Sequence, residues 1–220
     1  MNVKERIKQL RQELPTHVKL VAVSKTQPVE SIRQAMEAGQ HAFGENRVQE
    51  LVPKFNALPQ AQWHMIGHLQ TNKVKYIVPF VDLIHAVDSL RLLLEINRQA
   101  QRINRVVNCL LQVHIAQEET KFGLTADEVV QLVTQPDVAL LTHVCIKGLM
   151  GMATFTDDEK IIRQEFRTLY NLFNALKRQK LPPNAGMEIL SMGMSHDYRI
   201  AIEEGSNMVR IGSAIFGKRK

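Results

Sequence analysis

Hydrophobic positions along the chain fall into two alternating patterns. Short, nearly continuous apolar runs occur at 17–24 (HVKLVAVS), 41–45 (HAFGE), 62–67 (QWHMIG), 82–87 (DLIHAV), 106–115 (VVNCLLQVHI), 144–150 (VCIKGLM), 187–192 (MEILSM) and 207–212 (NMVRIG). Between them, at 28–39, 45–58, 71–79, 88–101, 125–135, 157–179 and 195–205, apolar residues recur every three or four positions, and 3–13 has the same pattern. The runs read as buried strands and the periodic stretches as amphipathic helices. Strict alternation of the two predicts parallel strands joined by helical crossovers. Near-continuous apolar strands predict a sheet covered on both faces. Eight such units in 220 residues predict an α/β fold, a (β/α)8 TIM barrel with residues 1–220 forming one domain. The last unit, SAIFGKRK, is too short for a full outer helix, and the helix at 3–13 is expected to fill that gap. An open doubly wound sheet is the competing architecture, weakened because no G-x-G-x-x-G follows the first strand. Pro28 is expected as the first helical residue after the first strand, and Ser195 as the N-cap after the seventh.

In such a barrel the working face is the C-terminal end of the strands. Small, polar and glycine residues concentrate there: Ser24-Lys25, GENR at 44–47, IGHLQTNK at 66–73, GLMGM at 148–152, SMGMS at 191–195 and RIGS at 210–213. The loops after the seventh and eighth strands carry Gly193, Ser195, Gly212 and Ser213, where barrels frequently bind phosphate. Lys25 ends an otherwise apolar strand. A lysine there is either a strand surfacing into water or an amine that attacks a carbonyl once desolvation has lowered its pKa. Beside a phosphate site, the second reading implies a Schiff-base aldolase acting on sugar phosphates or a protein holding pyridoxal 5′-phosphate (PLP). Arg210 lies inside the eighth apolar run. Facing the barrel mouth, it would keep a pyridine nitrogen unprotonated; facing outward, it would pair with a helix carboxylate.

Composition narrows the field further. Hydrophobic content of 45 % and charged content of 23 % are those of an ordinary globular chain. The net charge is +6, yet the basic residues are dispersed except in the tail GKRK, and aromatics are only 5 %, so no nucleic-acid partner is expected. No apolar run is long enough for a membrane span, and the charged N-terminus lacks the apolar segment of a secretory signal. Cys109 and Cys145 sit in apolar runs and read as buried, reduced thiols, in keeping with a cytoplasmic protein. His64 and His68 are four apart but straddle a strand end, and no metal-ligand spacing occurs, so no metal is expected. His41, His85, His114 and His143 read as hydrogen-bonded core or rim residues, and Met150, Met152, Met192 and Met194 as packing that could also floor a pocket.

The motifs AVSKTQP (22–28), FGENRVQE (43–50), WHMIGHLQTNK (63–73), LMGMA (149–153), SMGMSHDY (191–198) and VRIGSAIFG (209–217) together resemble the PLP homeostasis proteins, over essentially the whole chain. The resemblance implies a barrel similar to the N-terminal domain of alanine racemase, with PLP as a Schiff base on Lys25. It implies phosphate contacts from Ser191, Ser195, Gly212 and Ser213, shaped by Gly193, and a ring-nitrogen contact from Arg210. Asn46 is expected beside the ring, with Met65, Gly67, Asn72 and Lys73 lining or bordering the pocket. It implies a non-catalytic carrier or regulator of vitamin B6 and of amino and keto acid balance. PLP-dependent apoenzymes or a regulatory protein are then candidate partners, and a monomer is expected. The chain ends just after the eighth unit, so the second β domain of the racemases is not expected, and Tyr198 is read as packing rather than as a catalytic base. The alternative is a PLP-dependent enzyme of racemase type working with the barrel alone. A regulatory module binding through the basic surface is a further alternative.

Overall fold

The computed structural model describes residues 2–118 and 122–217, so the basic cluster at the end of GKRK lies outside the described residues. Helix α1 (Val3–Glu13) leads into β1 (Lys19–Val23), α2 (Val29–Glu37), β2 (Ala42–Glu45), α3 (Val48–Ala57) and β3 (Gln62–Met65). A 3-10 turn (Thr71–Lys73) runs into α4 (Val74–Ile77), followed by β4 (Leu83–Val87), α5 (Leu90–Gln101), β5 (Val107–Val113), α6 (Ala126–Thr134) and α7 (Pro136–Ala139). The chain continues through β6 (Val144–Gly151), α8 (Glu159–Lys177), β7 (Ala185–Ser191), α9 (Tyr198–Glu203), β8 (Met208–Ile211) and α10 (Ser213–Phe216). The eight strands close a parallel barrel in sequence order, sealed where Lys19 pairs with Met208 and Val21 with Arg210. This is the expected (β/α)8 fold. No helix among the described residues is long and apolar enough to cross a membrane.

Two apolar cores hold it. The larger lies between the sheet and the helix ring and includes Phe43, Trp63, Leu51, Phe166 and Ile7. The smaller fills the barrel axis with Val21, Leu83, Ala86, Leu110, Met150 and Met208. The abbreviated last unit is covered as expected: α10 has four residues, and Arg6 of α1 donates to the Ile215 carbonyl at 3.3 Å. A capping box between Asn2 and Glu5 starts α1.

Local expectations need correcting at four places. Pro28 is the N-cap of α2 rather than its first helical residue, its extended backbone lying just outside the helix. Ser195 is not the cap of α9, because a turn intervenes and Asp197 takes that position. Cys145 is only half-buried, while Cys109 is buried, its thiol pushed up by burial; both are free. Helix α7 was not anticipated, since four residues carry too little periodicity to register.

Candidate functional site

Strand parity decides which side chains reach the barrel mouth. Along β1, alternate residues face the axis, so Lys19, Val21 and Val23 share one side and Lys25 follows them beyond the strand end. Val21 belongs to the axial core, and Val23 and Lys25 line a cavity of ≈ 380 Å³ at the C-terminal mouth. Lys25 is half-buried. The same cavity is lined by Asn46, Ser195, Arg210, Gly212 and Ser213, with Val23, Ile66, Met152, Phe155, Met194 and Phe216 supplying apolar walls.

The turn carrying Lys25 is braced from below. Lys54 of α3 donates to the Ser24 carbonyl at 2.8 Å and to Glu45 Oε1 at 2.7 Å, and Ser24 Oγ donates to the same carboxylate oxygen at 2.7 Å. The Thr26 N–H donates to Glu50 Oε2 at 2.7 Å, holding Thr26 at a φ of 64°. Glu45 is fully buried, and that burial pushes its carboxyl up despite Lys54 and Ser24, which pull it down.

Arg210 faces inward from β8. Its Nη1 donates to Ser191 Oγ at 2.6 Å and to the Ser191 carbonyl at 2.9 Å, and its Nη2 donates to the Gly151 carbonyl at 3.0 Å. No carboxylate hydrogen-bonds it among the described residues, and burial pulls its pKa down to about 10. The alternative of an outward-facing Arg210 paired with a helix carboxylate is therefore not what the described residues show. Guanidinium donors remain beyond those used by the protein, on a buried cation that lines the cavity.

Of the ten residues expected at the site, Lys25, Asn46, Ser195, Arg210, Gly212 and Ser213 line the cavity and four do not. Met65 falls on the outward parity of β3 and packs in the outer core beside Trp63. Ser191 is fully buried, and its hydroxyl is engaged by Arg210 and lies 3.1 Å from His85 Nδ1, so it sits beneath the cavity rather than on its wall. Gly193 shapes the loop: at φ +97° its bare Cα passes where a Cβ would lie 2.6 Å from Ala201 Cβ. Gly67 allows the β3 loop to lie against the β2 loop, since a Cβ there would meet the Asn46 carbonyl at 2.5 Å. Asn72 and Lys73 are also off the cavity, and Lys73 borders a neighbouring depression shared with Asn46 and Met65. The Gly212 N–H donates to Ser195 Oγ at 3.2 Å and so joins the loops after β7 and β8.

The lining fits PLP. The volume lies in the small-ligand range. A primary amine, a buried guanidinium, two hydroxyls with backbone N–H groups on adjoining loops, and apolar walls match an aldehyde, a ring nitrogen, a phosphate and an aromatic ring. A Cβ at Gly212 would press on Val23 at 3.2 Å.

Known proteins are similar to this chain in sequence and fold. The family described as alanine racemase, N-terminal domain, matches residues 1–220. A pyridoxal phosphate homeostasis protein from Pasteurella multocida is 43 % identical over 92 % of this chain and 87 % of its own length. This chain belongs to that family. PipY of Synechococcus elongatus, 36 % identical, superposes with a TM-score of 0.91 without PLP and 0.88 with PLP bound, covering 98 % of this chain and 100 % of PipY in each case. Alanine racemase from Clostridium difficile shares the fold at a TM-score of 0.76 and 13 % identity, over 99 % of this chain and 56 % of the racemase.

Part of the wall comes from residues to which the motifs assigned no role of their own. Ile66 continues the inward parity of His64, and Met152 that of Met150, so both were open to a parity argument. Met150 and Met192 are buried packing, whereas Met152 and Met194 line the cavity, dividing the two roles anticipated for these methionines. Gln27, Phe155, His196 and Phe216 come from loops or a short helix, where no periodicity announces a direction. His85 is a hydrogen-bonded core residue as expected, but its partner His64, 3.0 Å away, was not foreseen.

Proposed function

We propose that this chain binds pyridoxal 5′-phosphate in the mouth of the barrel and serves PLP homeostasis as a carrier or regulator rather than as a catalyst. The observation that carries the reading is the convergence on one cavity of the Lys25 amine, the buried Arg210 guanidinium and the Ser195 and Gly212–Ser213 loops. Lys25 would hold the cofactor aldehyde as a Schiff base. Ser195, Gly212 and Ser213 would take the phosphate, Arg210 the ring nitrogen, and Asn46 the edge of the ring. Ser191, Gly193, Met65 and Gly67 would support these contacts from behind. Bound PLP supplies an electrophilic aldehyde conjugated to an electron-withdrawing ring.

Two features favour holding over turnover. A ring nitrogen beside Arg210 stays unprotonated, because a second positive charge there is disfavoured, and an unprotonated ring withdraws electrons weakly. The described cavity lining also offers neither carboxylate nor tyrosine as a partner acid or base. The family name of the relatives and the PLP-bound PipY structure support the cofactor. In this reading the chain is one cytoplasmic PLP-binding domain, monomeric, whose recipients are PLP-dependent apoenzymes or a regulatory protein.

The second reading, a racemase-type enzyme built from the barrel alone, is favoured by the fold shared with alanine racemases and by His196 on the cavity wall. One experiment separates them. PLP is titrated against the protein and followed by visible absorbance, and the loaded protein is then incubated with amino acids in deuterated water. The homeostasis reading predicts saturable uptake lost in Lys25→Ala, with no α-proton exchange above the blank. Exchange that depends on Lys25 would favour the racemase reading, and failure to take up PLP would overturn both.

A further inference from the structure

Four buried polar side chains run in single file through the barrel. Arg210 Nη1 donates to Ser191 Oγ at 2.6 Å, Ser191 Oγ lies 3.1 Å from His85 Nδ1, and His85 Nε2 lies 3.0 Å from His64 Nδ1. None of the four is more than 7 % exposed. They come from β8, β7, β4 and β3, so the line crosses the axis instead of following one strand. At its far end His64 lines a second cavity of ≈ 260 Å³, formed by residues at or near the strand starts and shared with Lys19, Asp82, Lys147 and Glu188.

The arginine end fixes the direction of the first bond in this line. A guanidinium only donates, so the Ser191 oxygen accepts from it. In a column of one polarity the Ser191 hydrogen turns to His85 Nδ1, which is then unprotonated. His85 therefore carries its hydrogen on Nε2 and gives it to His64 Nδ1. His64 in turn keeps its hydrogen on Nε2. Both imidazoles are neutral in this arrangement, and burial together with the positive charges of Arg210 and Lys19 holds them so.

We infer that Ser191 and His85, backed by His64, are the positioning residues of Arg210, fixing its guanidinium at the cavity wall through a hydrogen-bond column of one polarity. A carboxylate in place of Ser191 would also fix the guanidinium, but it would cancel its charge. A neutral column orients the cation and leaves its field directed at the cavity. Chained hydrogen bonds in a low-dielectric interior also polarise one another in the same sense. What Arg210 does to a ligand rests on the PLP reading above; how it is held rests on the geometry alone.

The test has one arm for each. In protein without added PLP, nitrogen-15 spectra of labelled histidines are recorded between about pH 5.5 and 9, a range in which an ordinary histidine titrates. The expected result is that His64 and His85 stay neutral with hydrogen on Nε2, and that Ser191→Ala shifts the His85 signals while leaving exposed His17 unchanged. A hydrogen on His85 Nδ1, or a charged His85 at neutral pH, overturns the column. In the second arm PLP is titrated by absorbance. His85→Leu is expected to weaken PLP by about tenfold, the loss of one buried hydrogen bond, and to shift the visible band. His85→Asn, whose carboxamide oxygen can replace the Nδ1 acceptor, is expected to restore both. Neither His85 variant should change binding further in an Arg210→Met background. Equal effects of His85→Leu with and without Arg210 would make His85 mere packing and overturn the proposal. If the wild-type protein takes up no PLP, the cofactor reading fails, and the nitrogen-15 arm still decides the column.

Discussion

His64 has its pKa held down to about 4 against an ordinary value of 6.5, because burial disfavours the imidazolium and Lys19 adds like charge. The unfolded chain therefore takes up a proton near pH 6.5 that the folded chain refuses until about pH 4. Stability contributed by neutral His64 is complete above the upper value and lost as pH falls between the two, on the order of 3 kcal/mol for the full shift. His85 acts in the same direction, while Glu45, whose carboxyl is held up, acts against it. Comparison with His64→Gln isolates the term. Chemical denaturation of the wild type between pH 7 and 4.5 should show a steeper loss than in the variant, and parallel curves would contradict the assignment. At this scale the sequence was legible where a residue type was out of place. A lysine closing an apolar strand and an arginine within one announced themselves. His64 and His85 did not, because a histidine in a strand gives no hint of which partner lies across the axis.

The β1–α2 turn shows how an element makes its residue useful. Lys25 faces the cavity because parity continues past Val23, and the turn keeps that direction because α3 grips it through Lys54 and Glu50. Lys54 is 7 % exposed and pairs with the fully buried Glu45. Removing one partner of a buried pair leaves an uncompensated charge, which costs about 3–5 kcal/mol. Lys54→Met should lower the unfolding free energy by that order, whereas the double change Lys54→Met with Glu45→Leu should recover much of it. Equal instability of single and double variants would mean that the pair contributes only packing. Element existence and order were readable because buried strands and amphipathic helices have different periods. Exact caps were not: Pro28 and Ser195 each stand outside the helix boundary expected for them, because turn geometry is settled by long-range contacts such as the Gly212 N–H to Ser195 Oγ bond.

At the scale of the molecule, the barrel's last unit supplies only α10, and α1 closes the ring in its place. Ile7 is fully buried in the outer core, so truncation there opens a cavity at the seam. Ile7→Ala should cost about 2–5 kcal/mol, measured by thermal or denaturant unfolding, and an effect below about 0.5 kcal/mol, typical of surface sites, would show that α1 is not part of the closed ring. Barrel closure was legible because eight alternating units leave few other topologies. The site's position followed from the fold, but its loop-borne walls, such as Gln27 and Phe155, did not, since loops carry no period to aim a side chain. The central claim is that this fold brings Lys25 to a cavity where its amine holds PLP. The most direct measurement is borohydride reduction of the PLP-loaded protein followed by peptide mapping by mass spectrometry. The account predicts loss of the visible band and a single stable pyridoxyl adduct on Lys25, absent from Lys25→Ala. An adduct on another lysine at equal yield, or none at all, would contradict it.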